Sequence, residues 1–255
     1  MPEAPPKKAP SSGALRCHLD KPLSSLKVAV VTPTFNRERF LGQSFRYFRA
    51  QHHPFAALRW FVLDDSPTRS QHPFCSGLSD VDYRWLDTRV PLGEKRNRLN
   101  RLAQTWGADI ICSMDDDDWY GPSYAQDMAE LLLQNDACFA GSGSDYYYDA
   151  WNHRILFVAP VRENASCNGV LCYKTFVLGE RSYNSSAASG EEPAFIRRDP
   201  VLQHPAIQRV HLALAFAHNT VTKRNYVRDP RCQTALSLDD FPMQEADREF
   251  YRGLK

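Results

Sequence analysis

The sequence predicts an α/β domain in which helices flank a mainly parallel central sheet. Short β-branched and apolar segments alternate with segments of helical periodicity over the first half of the chain, which is the pattern of βαβ units. Polar and acidic residues directly follow several apolar segments, as expected where parallel strands end at a ligand site. The length of 255 residues is sufficient for one domain with a sizeable core and a tail.

The elements of the first half alternate regularly. Apolar runs predict the strands, and apolar side chains at helical spacing predict the helices between them. One helix is expected after Arg37, a second from Gly93, and a third after Ser123 as its N-cap. The predicted strands are Lys27–Thr32, Arg59–Asp64, Asp82–Asp87 and Ala108–Cys112.

The second half is less regular, and its apolar runs predict further strands. These runs are Cys138–Tyr148, Ile155–Pro160 and Gly169–Lys174. The stretch Val210–Ala217 is also apolar, and we assign no element to it. We expect residues 1–26 to form a disordered or extended tail and residues 229–255 to form a polar tail or arm. Between them lies one domain over 27–228, with a nucleotide-binding half over 27–122 and an acceptor half over 123–228.

The composition excludes several classes of protein. A formal net charge of +1 provides no global field that would attract nucleic acid or a membrane surface. No apolar run has the length that a membrane-spanning helix needs. Cys112, Cys138 and Cys172 stand in apolar surroundings and are predicted to be buried thiols. Buried free thiols favour a reducing, cytoplasmic setting.

An acidic run from Asp115 to Asp118 follows the predicted strand Ala108–Cys112. Clustered carboxylates at the carboxyl end of a strand are hard oxygen ligands, which suit Mn²⁺ or Mg²⁺. A nucleoside diphosphate is the natural partner of such an ion. The alternative is a solvated acidic loop. The flanking Met114 and Trp119 favour the metal interpretation, because a solvated loop needs no apolar neighbours.

Four motifs in register resemble the inverting family 2 glycosyltransferases of the GT-A fold. They are Val30–Arg37, Val62–Ser66, Gly93–Asn97 and Met114–Tyr120. The resemblance extends over about residues 27–228. It implies a Rossmann-like central sheet with a small C-terminal acceptor-side extension. It also implies a metal-dependent glycosyltransferase that moves a sugar from a nucleoside-diphosphate sugar to an acceptor hydroxyl with inversion.

The resemblance assigns roles to the acidic run, whose DxD element would be Asp115 and Asp117. Asp117 is expected to bind the metal, and Asp115 the ribose or a metal-bound water. If the strand continued, the side chains of Asp115 and Asp117 would share one side and Asp116 would face the other. Asp118 is expected to reach the donor sugar. His218 resembles a histidine near the end of many family members and is a candidate metal ligand, with simple packing as its alternative.

Other residues are predicted to hold the donor nucleotide. Asp64 ends the second strand, where its carboxylate can accept hydrogen bonds from a base or ribose. The alternative is a turn, because the segment Asp-Asp-Ser-Pro at the end of the strand also suits one. Lys95 and Arg96 start a helix, whose N-terminus favours the anionic diphosphate. The end of the first strand is expected to line the base pocket with Thr32, Pro33, Thr34, Asn36 and Arg37.

The general base is predicted to lie in the segment Gly190–Arg197. Glu192 stands where the family commonly has an aspartate, so it is the first candidate, and Glu191 is the second. The alternative is that both acids only cap the helix after Gly190, since carboxylates also suit a helix N-terminus.

Two other functions stay open on the sequence. A nucleotidyltransferase would be favoured by a Gly-rich basic loop after the first strand, but Thr32–Arg37 contains no glycine. A non-catalytic nucleotide-sugar binding module would be favoured by missing carboxylates. The donor is expected to be UDP- or GDP-linked, whereas the acceptor ranges from a glycan to a modified nucleic acid. The oligomeric state is not predicted.

Overall fold

The computed structural model describes residues 17–160, 162, 165–216 and 223–254. Helices and strands alternate through the first half, as predicted. The strands are β1 (Lys27–Thr34), β2 (Ala57–Asp64), β3 (Val81–Trp85), β4 (Ile110–Ser113), β5 (Trp119–Tyr120), β6 (Phe139–Gly141), β7 (Asp145–Asp149), β8 (Arg154–Val158), β9 (Cys172–Lys174), β10 (Val201–Gln203) and β11 (His211–Ala215). The helices are α1 (Glu38–Arg49), α2 (Leu92–Trp106), α3 (Tyr124–Gln134), α4 (Glu192–Ile196), α5 (Arg224–Arg228) and α6 (Glu245–Arg252).

The main sheet has seven strands in the order β10-β6-β9-β4-β1-β2-β3. β1 is paired in parallel with β2 on one side and with β4 on the other, and β2 is parallel to β3. β9 runs antiparallel to β4 and β6, while β10 is parallel to β6. The predicted mainly parallel sheet is therefore confirmed. Since β1, β2 and β4 are parallel, their carboxyl ends and the polar residues after them meet at one edge.

Apolar residues explain why these segments form the central strands. β1 is buried over seven of its eight residues, and β4 is buried throughout, as expected for parallel strands covered on both faces. Leu41 and Phe48 of α1 pack into one core cluster with Trp60. Leu99 and Ala103 of α2 pack into a second cluster with Val31. The sheet thus separates two cores, one under each helical layer.

A second sheet has four strands in the order β5-β11-β7-β8. It explains one of two differences from the sequence prediction. The predicted strand Cys138–Tyr148 is two strands, because β6 joins the main sheet and β7 joins the second. The predicted strand Gly169–Lys174 begins with a 3-10 turn, Asn168–Val170, and only Cys172–Lys174 is β-structure.

The C-terminal segment predicted as a polar tail packs against the domain. Tyr251 and Leu254 are fully buried, and the α6 residue Asp247 accepts a hydrogen bond from Gln43 of α1. At the other end, Leu26 is fully buried and Leu23–Ser25 forms a 3-10 turn. Both described ends are therefore ordered parts of the fold. Within the described residues, no helix combines the length and the apolar character that crossing a membrane requires.

The cysteines agree with the prediction only in part. Cys112 and Cys172 are buried free thiols, as predicted. Cys138 was expected to be a third, but it forms a disulfide with Cys17, whose Cα lies 5.0 Å away. No local pattern indicates this pair, because 121 positions separate the two residues along the chain. The cytoplasmic setting stays a prediction.

Candidate functional site

The acidic run connects the two sheets. It leaves β4 at the carboxyl end of the main sheet, bends over residues 116–118, and enters β5, where Tyr120 pairs with His211 of the second sheet. The backbone of the run is held from below. Ser44 donates a hydrogen bond to the Asp116 carbonyl at 2.7 Å, and Tyr251 donates one to the Asp117 carbonyl at 3.1 Å. The run is thus a fixed bend rather than a solvated loop.

The side chains of the run do not alternate as an extended strand would require. Asp116 and Asp117 both face Arg37, whose Nε lies 3.5 Å from one carboxylate and whose Nη2 lies 3.3 Å from the other. The Arg37 guanidinium itself lies near the rings of Phe40 and Phe216, at 5.7 and 5.3 Å. The expectation that Asp116 points away from Asp117 is therefore wrong, because the chain bends at these positions.

Asp115 and Asp118 converge at Gly169. A Cβ placed on Gly169 would lie 3.3 Å from Oδ2 of Asp115, 3.2 Å from Oδ2 of Asp118 and 3.3 Å from the Tyr120 hydroxyl. Only a residue without a side chain leaves this space open. Two carboxylate oxygens are therefore presented to one small volume, and this donor set fits a hard divalent cation.

Among the residues described, no group of three or more His, Cys, Asp or Glu side chains is arranged as a complete metal centre. Mg²⁺ sites of this kind are often held by one or two carboxylates, with substrate phosphates and water supplying the remaining ligands. The acidic run fits that type of site rather than a closed protein cage. Of the predicted ligands, Asp115 shares the space at Gly169 with Asp118, whereas Asp117 faces Arg37. The third candidate, His218, lies outside the described residues.

The electrostatics of the run differ from one carboxyl to the next. Burial raises the pKa of Asp116 to about 6, although Arg37 acts in the opposite direction. Burial and the charges of Asp118 and Asp116 raise the pKa of Asp117 well above its usual range. The binding of a cation stabilises the charged form of crowded carboxylates with raised pKa values, because the cation neutralises their mutual repulsion.

His211 is a site residue that sequence reasoning missed. Its ring lies between two carboxylates, with Nε2 at 3.2 Å from Asp118 and Nδ1 at 2.9 Å from Asp145. Burial alone would lower the pKa of His211, but the two carboxylates outweigh it and raise the pKa to about 10. His211 is therefore an imidazolium that fixes Asp118. In the sequence His211 stands in the apolar run Val210–Ala217, which indicated burial but no charged partner.

The two predicted base candidates have different surroundings. Oε1 of Glu191 accepts hydrogen bonds from Arg96 Nε at 2.6 Å and from Asn168 Nδ2 at 2.7 Å, and Glu191 is 2% exposed. Glu192 is half-buried, and its Oε1 accepts a longer bond from the Asn168 amide at 3.3 Å. Burial and the Glu191 charge raise the pKa of Glu192. Glu191 is thus held in place by two short contacts, and its candidacy as the base stays a prediction.

The predicted cations are ordered by carboxylates. Arg96 links Glu191 to Asp115, with Nη2 at 3.1 Å from the Asp115 carboxylate. Its Nη1 is buried and has no hydrogen-bond partner in the structure. Lys95 contacts the Asp65 carboxylate at 2.5 Å and the Thr34 carbonyl at 2.8 Å. Both cations line the cavity described next, where the unsatisfied Arg96 nitrogen is suited to an anionic oxygen.

A single large cavity brings these residues together. It has a volume of about 1220 Å³ and lies at the carboxyl edge of the main sheet. Most of the predicted site residues line it, namely Pro33, Thr34, Asn36, Arg37, Lys95, Arg96, Asp115, Asp116, Asp117, Asp118, Glu191 and Glu192.

Two predicted nucleotide-binding residues do not line this cavity. The Thr32 hydroxyl is fully buried and accepts a hydrogen bond from the Trp60 indole at 2.8 Å. The Asp64 carboxylate accepts bonds from the Ser66 amide at 2.8 Å and from the Tyr83 hydroxyl at 2.7 Å. We now assign structural roles to both side chains. Asp64 holds the turn after β2, which was the alternative that Asp-Asp-Ser-Pro also suited.

Known proteins of similar fold carry nucleotide sugars. TarS from S. aureus superposes with a TM-score of 0.53 at 18% identity, covering 74% of this chain and 37% of TarS. A mannosyltransferase from Pyrobaculum calidifontis, solved with GDP-Man and Mn²⁺, gives 0.54 at 12% identity, covering 79% of this chain and 59% of that one. These likenesses confirm the GT-A fold. This chain spans less than two thirds of either.

The sequence comparisons agree with the fold. Protein RfbJ from Shigella flexneri is 27% identical over 111 residues, which cover 44% of this chain and 80% of RfbJ. The model of the family "Glycosyl transferase family 2" matches residues 29–181, which is more than half of the chain. The matched region contains most of β1, the acidic run and the turn at Gly169. The chain therefore belongs to glycosyl transferase family 2.

Proposed function

We propose that this protein transfers a sugar from a UDP- or GDP-linked donor to an acceptor hydroxyl, with inversion and with Mn²⁺ or Mg²⁺ as cofactor. The observation that carries the proposal is the shared cavity. The acidic run, the cations Lys95 and Arg96, and the carboxylate Glu192 all line it. This arrangement supports the binding of a donor diphosphate and its metal beside an acceptor base in one cavity.

The donor end is built from residues that hold charge in fixed positions. Arg96 is fixed by Glu191 and Asp115, and Lys95 is fixed by Asp65. Their positive charges face a diphosphate without the entropic cost of ordering long free side chains. Asp117 and Asp115 are the proposed metal ligands, and the cation, when bound, would withdraw charge from the leaving diphosphate.

The acceptor end supplies the proposed base, Glu192. The acceptor hydroxyl loses its proton to the Glu192 carboxylate while its oxygen attacks the anomeric carbon. The bond from that carbon to the diphosphate oxygen breaks in the same step, and the nucleoside diphosphate leaves with the bonding electrons. One base and one displacement invert the anomeric centre. The raised pKa of Glu192 strengthens it as a proton acceptor near neutral pH.

The first experiment screens nucleotide sugars for release of UDP or GDP in the presence of Mn²⁺, beside nucleoside triphosphates as alternative substrates. The proposal expects sugar-dependent release of the diphosphate and no pyrophosphate from triphosphates. Pyrophosphate release would favour the nucleotidyltransferase alternative. Tight binding of a nucleotide sugar with no turnover under any condition would favour the non-catalytic module.

A further inference from the structure

The cavity is larger than one substrate requires. Its volume of about 1220 Å³ exceeds the range of about 300–1,000 Å³ that is usual for pockets of a single small ligand. Part of its wall comes from the second sheet, through Asp145 and Tyr147 of β7 and Ala213 of β11. This part lies away from the β1 and α2 residues that we assign to the donor nucleotide. It is the region left for the acceptor.

Lys223 is the cation of this region. Its Nζ lies 5.0 Å from the centre of the Tyr147 ring, and Tyr147 is only 5% exposed. Lys223 also lines the cavity, and across the described part of the chain it makes no ion pair with a carboxylate. Lys95 and Arg96 at the donor end are both paired. A lining ammonium held by a ring, without a counter-charge, is suited to an anion from the ligand.

The same region contains the proposed base. Cys167 lies between Tyr147 and Glu192. Its sulfur is 4.0 Å from the Tyr147 hydroxyl, and the backbone N–H of the next residue, Asn168, donates a hydrogen bond to Glu192 at 3.3 Å. Burial, together with the charges of Asp145 and Glu192, raises the pKa of the Cys167 thiol to about 12, while Lys223 acts in the opposite direction. Lys223 and Glu192 therefore both lie near Cys167 and line the same cavity.

Within the transferase function proposed above, we propose that the acceptor carries an anionic group, a phosphate or a carboxylate, which Lys223 binds while the acceptor hydroxyl faces Glu192. Without that ammonium, the Glu192 carboxylate would repel an anionic acceptor. A neutral acceptor would gain nothing from Lys223. Charge at this position thus selects among acceptors rather than among donors.

Binding of simple sugars tests this selection on the full chain with saturating UDP, or GDP, and Mn²⁺. The probes are glucose, glucuronate and glucose 6-phosphate, followed by ligand-observed NMR. We expect at least one anionic sugar to bind about tenfold more tightly than glucose. A preference for glucose 6-phosphate alone identifies a phosphate, and a preference that includes glucuronate extends the site to carboxylates. Equal binding of all three overturns the proposal.

Three variants assign the preference to Lys223. Lys223→Gln should abolish it, Lys223→Arg should retain it, and Arg228→Gln, which removes an exposed charge of α5 outside the cavity, should leave it unchanged. An anion preference that survives in Lys223→Gln, or one that Arg228→Gln also removes, contradicts the assignment. Melting temperatures verify folding. The proposed function is tested separately by nucleotide binding, so a protein that binds neither UDP nor GDP refutes that function and not this preference.

Discussion

Two adjacent glutamates show how strongly position decides the role of a residue. Glu191 is locked by Arg96 and Asn168, whereas Glu192 faces the cavity with a single weak contact. The sequence identified this pair as the place of the base but could not rank the two by environment. Their partners lie 95, 23 and 24 positions away along the chain, so no local pattern records them.

Glu192→Gln should lower turnover by about 10²- to 10⁴-fold, because the amide cannot accept the acceptor proton. Donor affinity, measured by calorimetry, should change little. The wild-type rate should fall as the pH drops through the raised pKa of Glu192, since protonation removes the base. The acid limb of the pH profile should therefore lie above the usual glutamate value of about 4.3.

Glu191→Gln provides the matched control. It should lower the melting temperature, because it removes a buried charge from Arg96 and leaves that guanidinium with less compensation. A fully active Glu192→Gln beside a well-folded but inactive Glu191→Gln would move the base by one residue.

Asp117→Asn should weaken Mn²⁺ binding and donor turnover while leaving the fold intact. Removal of one buried, crowded carboxylate should also raise the melting temperature of the metal-free protein, because like charges no longer meet. Calorimetric Mn²⁺ titration and thermal melting measure both effects. Asp116→Asn is the matched variant at the same Arg37 contact, and it should impair Mn²⁺ binding less. The reverse order would transfer the metal assignment to Asp116.

The sequence predicted the helices and strands that depend on local signals and not those that depend on distant partners. β1, β2, β4, α1 and α2 were predicted because periodicity and turn residues are local signals. The second sheet was missed because β7 pairs with β11 across more than 60 intervening residues. The packed α6 was missed because its sequence is mostly charged, and burial depends on only a few positions such as Tyr251.

The turn Asn168–Val170 is the element that gives the acidic run its space. Gly169→Ala would place a methyl group 3.2–3.3 Å from the Asp115 and Asp118 carboxylates. We expect a several-fold weaker affinity for Mn²⁺ with nucleotide, because both carboxylates must shift. Calorimetry in the presence of UDP or GDP measures this affinity. Gly179→Ala is the control, because its added methyl group would have no neighbouring atom within 4 Å. Equal affinity in both variants would show that the run tolerates the shift.

Helix α6 positions the same run through Tyr251. Tyr251→Phe leaves the Asp117 carbonyl without its donor, and an unsatisfied buried group costs about 1–3 kcal/mol. Tyr148→Phe also loses a buried hydroxyl contact, but that contact goes to His153. Both variants should lose stability in urea, and only Tyr251→Phe should raise the Mn²⁺ concentration needed for half-maximal turnover. Identical metal requirements would reduce α6 to a packing element.

At the scale of the whole molecule, the acidic run connects the two sheets, to which we assign the two proposed substrates. The main sheet presents its carboxyl edge to the proposed donor, and the second sheet forms the wall at the acceptor end. His211 of the second sheet contacts Asp118 of the acidic run and Asp145 of β7, and so links the run to that sheet. The fold and its carboxyl-edge site were predictable from strand-end residues, while the closure of the cavity required long-range pairing.

The central claim is that this cavity binds a divalent cation and a nucleoside diphosphate together. Thermal melting with Mn²⁺ alone, with UDP or GDP alone, and with both tests it directly. A ligand at about 100 times its Kd adds about 2.7 kcal/mol of stability, which is about 5–10 °C for a domain of this size. The account predicts that the combination gives such a shift and that EDTA or Asp117→Asn reduces it to the small effect of nucleotide alone. A nucleotide-induced shift that is equally large in EDTA would contradict it.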